Sequence, residues 1–335
     1  YRSSCPPCCA WNENMSTFDL DFSKGHETTK VHAFEFWRTI VDLGRTSGRP
    51  DDLSTAGPFP WEMCIELSVI FFILNWAIRL LLVEPAFKSI VAYARPEFYK
   101  KKKKLRGVTV KFAQACMEMI SYGSFAYFGV IILRSQDWIW PHELWWADQP
   151  DNSYMTRDLI FFYVAYCSRY IQAFLSVFLE TARKDFWEMQ IHHVVTIGLV
   201  IGSYEVGLTK IGVIIMVLMD LSDPLLQLGK QILYLKEILK TGLVAKFLGW
   251  FTDTFFGVFV ALFTGTRMVI YPFAVSTMYT DYFSARNGIL NATFPEITLF
   301  VLLCVLQVLQ VIWFTFLCSA VYRVVTGKQL GDTRS

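Results

Sequence analysis

The sequence has few charged residues and few histidines, and both scarcities limit what the protein can be. Charged side chains make up 18% of the 335 residues, and the mean hydropathy of +0.37 is too high for an ordinary soluble domain of this length. Five histidines are present, and only His192 and His193 lie in long apolar stretches. A di-iron oxygenase site needs a larger set of nitrogen and carboxylate ligands, so that class of enzyme is excluded and we predict no metal site.

Long apolar segments, by contrast, are abundant. About 20 consecutive apolar residues suffice for a helix to cross a bilayer. Seven segments of this kind occur, at residues 61–83, 114–133, 157–179, 186–204, 211–235, 247–275 and 297–325. We therefore predict an all-α polytopic membrane protein with about seven transmembrane helices. In this division, residues 1–60 form a polar N-terminal segment, 84–113 a basic loop after the first span, 114–325 a domain of six spans, and 326–335 a tail.

The distribution of Lys and Arg predicts the orientation of these spans, because cytosolic loops are enriched in positive charge. The side that carries the basic loop has 17 Lys and Arg residues, and the opposite side has 3 in its short loops. The segments compared are 84–113, 180–185, 236–246 and 323–335 on the first side, and 134–156, 205–210 and 276–296 on the second. The N-terminus is therefore predicted to be lumenal and the C-terminus cytosolic. The candidate glycosylation sites Asn14 and Asn291 both fall on the lumenal side.

Four of the predicted spans carry polar residues on one helical face. Charged side chains at mid-membrane depth cost about 2.5–3.5 kcal/mol each on insertion scales, so these faces should point to protein or water. Helical spacing puts the members of each stripe on one side of a helix. The stripes consist of Arg169, Gln172, Ser176 and Glu180; of His192, Thr196 and Ser203; of Asp220, Asp223, Gln227 and Lys230; and of Asp253, Thr264 and Arg267. We predict a polar cavity where they meet; polar contacts that only hold the helices together are the alternative.

The adjacent histidines are the candidates for chemistry in that cavity. An unperturbed imidazole has a pKa of about 6.5, so it can exchange protons near neutral pH, and it can also act as a nucleophile. Adjacent helix positions diverge by about 100°, so His192 and His193 cannot point identically into one cavity. His192 is the preferred catalytic residue because it shares its face with Thr196 and Ser203. Asp220 and Asp223 lie about one turn apart and could fix the tautomer of an imidazole and stabilise its charged form.

Residues 183–234 resemble the signature segment of the ceramide synthases, which are members of the TLC-domain family, and the similarity extends over about residues 110–325. The matching positions are Gln190, His192, His193, Thr196, Ser203, Tyr204, Gly212, Asp220, Ser222, Asp223, Lys230 and Tyr234. The later segment TRMVIYPF, which contains Arg267, is also similar. Met219 stands where many animal and plant members have a histidine, and Gln227 replaces a common glutamate; both departures are typical of the fungal branch.

The resemblance implies a fold and a reaction. A ring of six helices would enclose a cavity with polar and apolar parts in the endoplasmic reticulum membrane. The enzyme would transfer a fatty acyl group from acyl-CoA to the amine of a long-chain sphingoid base such as sphinganine or phytosphingosine, giving ceramide or dihydroceramide and free CoA. It implies no cofactor, because acyl-CoA is a substrate, and we predict no nucleic-acid partner. Membrane lipid surrounds the chain, and a homodimer or a small accessory subunit is left open.

The predicted site has two groups of residues. The catalytic group is His192, His193, Asp220 and Asp223. The substrate-binding group is Arg169, Gln172, Gln190, Thr196, Ser203, Lys230 and Arg267. His192 would either remove a proton from the sphingoid amine or attack the thioester to form an acyl-imidazole. The arginines could stabilise the developing oxyanion, hold a phosphate, or simply neutralise the aspartates.

Two other functions remain open on the sequence alone. A fatty-acid elongase is also a multi-span acyl-CoA enzyme, but it would be expected to carry HxxHH, whereas Met189 and Gln190 precede the histidine pair here. A non-catalytic TLC-domain lipid sensor or transporter would not need paired His and Asp residues together. In the resembled family, the lumenal loop at 276–296 is tied to the choice of acyl-chain length, and its sequence does not identify that length.

Overall fold

The computed structural model describes residues 53–55, 58–147, 149, 154–180, 185–238 and 243–326. The candidate glycosylation site Asn14 lies outside the described residues. So do most of the predicted N-terminal segment and nearly all of the predicted tail.

Long helices make up most of the described chain. They are α1 (Trp61–Ile78), α2 (Glu84–Ala94), α3 (Pro96–Tyr99), α4 (Lys102–Arg134), α5 (Arg157–Val177), α6 (Phe186–Val206), α7 (Thr209–Asp220), α8 (Asp223–Ile238), α9 (Leu243–Phe263), α10 (Tyr271–Thr277) and α11 (Phe294–Val325). π-helical segments at Arg79–Val83, Thr264–Ile270 and Met278–Phe283 continue α1, α9 and α10. Two three-residue strands, β1 (Leu53–Thr55) and β2 (Tyr154–Thr156), pair antiparallel.

Among the described residues, six helical stretches are long and apolar enough to cross a membrane. They are Trp61–Ala94, Lys102–Arg134, Arg157–Val177, Thr209–Lys236, Thr254–Phe283 and Phe294–Val325. These stretches confirm the prediction of an all-α multi-pass membrane protein. The predicted fourth span, 186–204, corresponds to α6, a 21-residue helix that is not among the six. Its apolar sequence is interrupted by Glu188, Gln190 and the two histidines, so its hydropathy is lowered by the candidate site itself.

Helical structure extends beyond several predicted spans. Helix α1 continues through Arg79–Val83 into α2, and α4 begins at Lys102, so most of the predicted basic loop at 84–113 is helical. The predicted span at 211–235 is instead divided into α7 and α8. Pro224 explains this break, because it has no N–H to donate to the carbonyl group four residues earlier.

A tight turn joins α6 to α7 and makes them neighbours. Gly207 ends α6 with a φ of 82°, a left-handed conformation that glycine adopts at little cost. The N–H of Leu208 then donates to the carbonyl oxygen of Ser203 at 2.8 Å, which satisfies one of the last carbonyls of the helix. Further along, Gly212 leaves room for the hydroxyl of Tyr163, which a Cβ would approach to 1.9 Å.

The helices from α4 onwards close into a ring. Helix α4 packs against α8, α8 against α9, and the π-helical segment Thr264–Ile270 against α11. Helix α11 packs against α6, α6 against α5, and α5 against α4, which completes the circle. Helix α1 is added to this ring through its contact with α5. The six predicted spans from α4 to α11 therefore surround a central space.

Candidate active site

A cavity of about 220 Å³, here called the polar cavity, lies among these helices. Seven of the predicted site residues line it: Arg169, Gln172, His192, His193, Asp223, Lys230 and Arg267. They come from α5, α6, α8 and the π-helical segment after α9. Residues that are up to 98 positions apart in the sequence thus meet at one place.

The two imidazoles are neighbours but are not parallel. Their ring centroids are 5.8 Å apart and their planes differ by 45°. Both rings pack edge-on against Tyr170, at 5.7 Å for His192 and 5.8 Å for His193. His193 is buried, and its Nδ1 is hydrogen-bonded to Oε1 of Gln190 at 3.4 Å. His192 is only partly buried, and its Nδ1 lies 3.5 Å from Oγ1 of Thr196, so His192 has the more accessible ring.

Arg169 is enclosed by aromatic rings and paired with Asp220. The carbon of its guanidinium lies between 4.5 and 5.3 Å from the centroids of four rings, those of Tyr122, Phe125, Tyr166 and Tyr170. Its Nη2 donates to Oδ1 of Asp220 at 3.1 Å and lies 2.9 Å from Oδ2. Both side chains are buried, so each charge compensates the other where water is excluded.

Arg267 holds a second carboxylate and bridges three elements. Its Nη2 donates to Oδ1 of Asp223 at 2.7 Å and to the carbonyl oxygen of Met219 at 2.6 Å, and its Nη1 donates to Oε1 of Gln310 at 3.0 Å. Its Nε is buried without a hydrogen-bond partner among the described residues, and so is Nη1 of Arg169. Each guanidinium group therefore keeps one nitrogen whose N–H is not bonded to a described acceptor.

The carboxylates are bonded to arginines and not to imidazoles. Asp220 accepts hydrogen bonds from Arg169 and, at 3.4 Å, from the hydroxyl of Tyr166, whereas Asp223 accepts from Arg267. In the part of the chain that the structure describes, no hydrogen bond joins either aspartate to a histidine. Asp220 is buried, is bonded to Arg169 and does not line the polar cavity, so the contacts described for it do not include the expected one that would fix an imidazole tautomer. The geometry agrees with the alternative in which each arginine neutralises an aspartate.

A smaller apolar cavity of about 50 Å³, here called the apolar slot, adjoins the polar cavity at His192. His192 and Tyr170 line both spaces. The slot follows α6 from His192 to Ser203, which is about 16 Å along a helix. Thr196 and Ser203, predicted to bind substrate, lie in this slot. The rest of its wall is mostly apolar and includes Leu199, Ile211, Ile215, Met216, Met219, Met278, Leu299, Leu303 and Leu306.

Three further predicted residues have the following positions. Gln190 contacts His193 but does not line either cavity. Gln172 lines the polar cavity, and its Nε2 donates to Oγ of Ser176 at 2.7 Å. Asn291, the second candidate glycosylation site, is exposed in a short turn before α11.

Part of the cavity wall consists of residues that were not predicted from the sequence. The missed residues include Asn75, Gln114, Glu118, Tyr122, Tyr170 and Trp313. Glu118 could have been found, because an acidic residue inside a predicted span is itself a signal of function. It accepts hydrogen bonds from Nε2 of Gln114 at 3.0 Å and from Nε2 of Gln227 at 2.5 Å, and so joins α4 to α8. The aromatic residues gave no such signal, because apolar spans contain many of them.

The arrangement suits chemistry at a carbonyl group that carries a long aliphatic chain. An imidazole can transfer protons or attack as a nucleophile, and guanidinium donors can stabilise the negative charge that develops on a carbonyl oxygen. Among the described residues, no group of three or more His, Cys, Asp or Glu side chains is arranged to hold a metal ion. The absence of a metal and of a cofactor from the reaction stays a prediction.

The fold and the site define a multi-pass membrane protein that encloses a pair of adjacent histidines in a polar cavity. Residues 111–319 match the TLC domain family (TRAM_LAG1_CLN8). Because the match covers more than half of the chain, the chain belongs to that family.

Individual relatives are similar over most of the same region. Ceramide synthase 4 of Mus musculus is 30% identical over 227 residues, which are 67% of this chain and 54% of the mouse protein. Sphingosine N-acyltransferase lag1 of Schizosaccharomyces pombe is 29% identical over 238 residues, 69% of this chain and 58% of the yeast protein. ASC1-like protein 3 of Oryza sativa subsp. japonica is 29% identical over 283 residues, 80% of this chain and 93% of the rice protein. The match thus spans just over half the length of the mouse and yeast relatives.

Proposed function

We propose that this protein is a ceramide synthase, which transfers a fatty acyl group from acyl-CoA to the amine of a long-chain sphingoid base. The observation that carries the proposal is the position of His192, which lines the polar cavity and the apolar slot at once. Sphinganine or phytosphingosine would be the acceptor, and dihydroceramide or ceramide and free CoA would be the products. The names of the mouse and yeast relatives support this reading.

The two cavities differ in polarity in the same way as the two halves of a fatty acyl thioester. An aliphatic chain gains about 0.8 kcal/mol for each methylene removed from water, so the chain would lie in the apolar slot with its carbonyl carbon at His192. CoA is polar and anionic and would occupy the polar cavity, whose wall carries Lys230. The sphingoid amine would approach the same carbonyl carbon from the polar cavity.

His192 would carry the chemistry by one of two routes. As a general base, its Nε2 would take a proton from the amine; the amine nitrogen would bond to the carbonyl carbon, the C–S bond would break, and the imidazolium would return the proton to the CoA thiolate. As a nucleophile, Nε2 would bond to the carbonyl carbon and the C–S bond would break, giving an acyl-imidazole and the CoA thiolate. The amine nitrogen would then bond to the carbonyl carbon, the bond from that carbon to Nε2 would break, and the proton lost by the amine would balance the one taken up by the thiolate. The contact between Nδ1 and Thr196 supports both routes, because it leaves Nε2 for the substrate.

Both routes pass through a tetrahedral intermediate whose oxygen is negatively charged. Donors that are in place before the reaction stabilise this charge, and losing one typically costs about 10²–10³ in kcat. We assign this role to Nε of Arg267 and Nη1 of Arg169, which have no partner among the described residues. Asp223 and Asp220 would hold the two guanidinium groups in position.

The test is an assay of the purified protein with sphinganine and a series of saturated acyl-CoAs. We expect dihydroceramide and free CoA in equal amounts, measured by mass spectrometry and by thiol release, with the His192→Ala protein as the background. An elongase would instead lengthen the acyl-CoA when malonyl-CoA is supplied, and a lipid sensor would bind the lipid without releasing CoA. Monodisperse protein that releases no CoA with any chain length would contradict the proposal.

The proposed location is the endoplasmic reticulum membrane, with a lumenal N-terminus and a cytosolic C-terminus. A cysteine in place of Leu290, whose side chain is 96% exposed, should react with a membrane-impermeant maleimide on sealed microsomes only after permeabilisation. A cysteine in place of the exposed Lys100 should react without permeabilisation, and the unsubstituted protein gives the background of native thiols. The reverse pattern would overturn this orientation, whereas glycosylation at Asn291 would support it.

A further inference from the structure

Helix α1 contributes a polar residue to the polar cavity although it precedes the residues that match the TLC domain. Asn75 stands near the middle of the apolar stretch Trp61–Ala94 and lines the cavity. Its carboxamide offers two N–H donors and a carbonyl acceptor, and none of them is hydrogen-bonded to another described residue. A polar group at membrane depth is unfavourable without a partner, so a bound ligand is the expected partner.

Contacts on the same helix hold Asn75 in place. Nε1 of the next residue, Trp76, donates to Oγ of Ser176 on α5 at 3.3 Å. One turn further, the buried Arg79 forms an ion pair with Glu180 at 3.1 Å. These two contacts fix α1 against the ring directly beside Asn75. Its amide is therefore presented to the cavity by a rigid element, as a binding group requires.

Carboxylates line the cavity close to the first helix. Glu180 pairs with Arg79, and Gln114 donates to Glu180 and, at 3.0 Å, to Glu118. Glu118 and Glu180 both line the cavity, and Glu118 also accepts a hydrogen bond from Gln227 of α8. A cationic amino alcohol is therefore matched by the carboxylates of the wall to which Asn75 belongs.

We propose that Asn75 binds a hydroxyl group in the head group of the sphingoid base. The proposal rests on the proposed function, since a sphingoid base is a long-chain 2-amino-1,3-diol. A hydroxyl both donates and accepts a hydrogen bond, so it complements the two halves of the carboxamide. The first helix, outside the family domain, would then help to determine which amine is acylated.

The experiment compares two acceptors in the Asn75→Leu protein, whose new side chain has a similar size. Sphinganine is compared with 2-aminooctadecane, which keeps the amine and the chain and lacks both hydroxyls. In the parent protein, kcat/KM should favour sphinganine, and Asn75→Leu should reduce that preference by about tenfold, the effect of one lost hydrogen bond. The KM for acyl-CoA should not change.

Ser68→Ala is the matched control, because Ser68 is a polar residue of the same helix that bonds to the carbonyl of Cys64 and does not line the cavity. It should leave the preference unchanged. An unchanged preference in Asn75→Leu, or a raised KM for acyl-CoA instead, would overturn the role of Asn75. Asn75→Ala, which introduces no bulk, gives the same readout if the leucine variant does not fold. A parent protein that makes no ceramide would instead contradict the proposed function.

Discussion

Replacing His192 with alanine is expected to lower kcat for acyl transfer by about 10³-fold, because removing a general acid–base group typically costs 10²–10⁴ in rate. The substrates would still bind in the polar cavity and the apolar slot, so KM should change little. The measurement is the steady-state release of CoA at saturating sphinganine and acyl-CoA. Size-exclusion chromatography and thermal unfolding of the same preparation show whether the variant is folded.

Substitutions at Thr196 and His193 distinguish the catalytic residue from residues that only position it. Thr196→Val removes the hydroxyl near Nδ1 of His192 while keeping the shape of the side chain, and should lower kcat by about tenfold through loss of one hydrogen bond. His193→Ala should lower activity less than His192→Ala, because His193 is buried and bonded to Gln190. If His193→Ala abolishes activity and His192→Ala does not, the roles of the two rings are exchanged.

The same variants distinguish the two chemical routes. The parent protein is mixed with labelled acyl-CoA in the absence of sphingoid base and quenched rapidly. Labelled protein that disappears in His192→Ala supports the acyl-imidazole, since the acyl group would be bonded to that ring. Active protein that carries no label under rapid quench supports the general-base route.

Local sequence determines the spans well because one physical property, hydropathy over about 20 residues, decides them. The predicted fourth span, 186–204, differs from α6 (Phe186–Val206) by two residues at one end. The divided fifth span shows the limit of this property. Hydropathy does not register the missing N–H of Pro224, which separates α7 from α8 and lets Asp220 and Asp223 face different arginines.

The candidate site was predictable in its residue types and not in its contacts. Helical phase alone predicts that His192, Arg169 and Arg267 face one cavity, because each is a costly polar residue in an apolar helix. The choice of partners depends on the packing between helices. Asn75 illustrates this most clearly, since it reaches the cavity only because α1 packs against α5, a contact between segments about 100 residues apart.

The buried pair of Arg169 and Asp220 should matter most for stability. Removing one partner of a buried ion pair usually costs about 3–5 kcal/mol, because the other charge is left without compensation. Both side chains are buried here, at 4% and 1% exposure, so water cannot replace the missing partner. Arg169→Met is expected to lower the free energy of unfolding in mixed micelles by an amount in this range and to abolish activity.

The two single substitutions should not be equivalent. After Asp220→Asn, the guanidinium of Arg169 keeps its four aromatic neighbours, and cation–π contacts of about 0.5–2 kcal/mol each partly compensate its charge. After Arg169→Met, the carboxylate of Asp220 keeps only the hydroxyl of Tyr166 among the hydrogen-bond donors described for it. Arg169→Met should therefore destabilise the protein more than Asp220→Asn.

The double variant Arg169→Met/Asp220→Leu should recover most of the lost stability, because no buried charge remains. It should not recover the activity, because the donor at Nη1 is gone. A double variant less stable than Arg169→Met alone would show that the pair does more for the fold than neutralise its own charges.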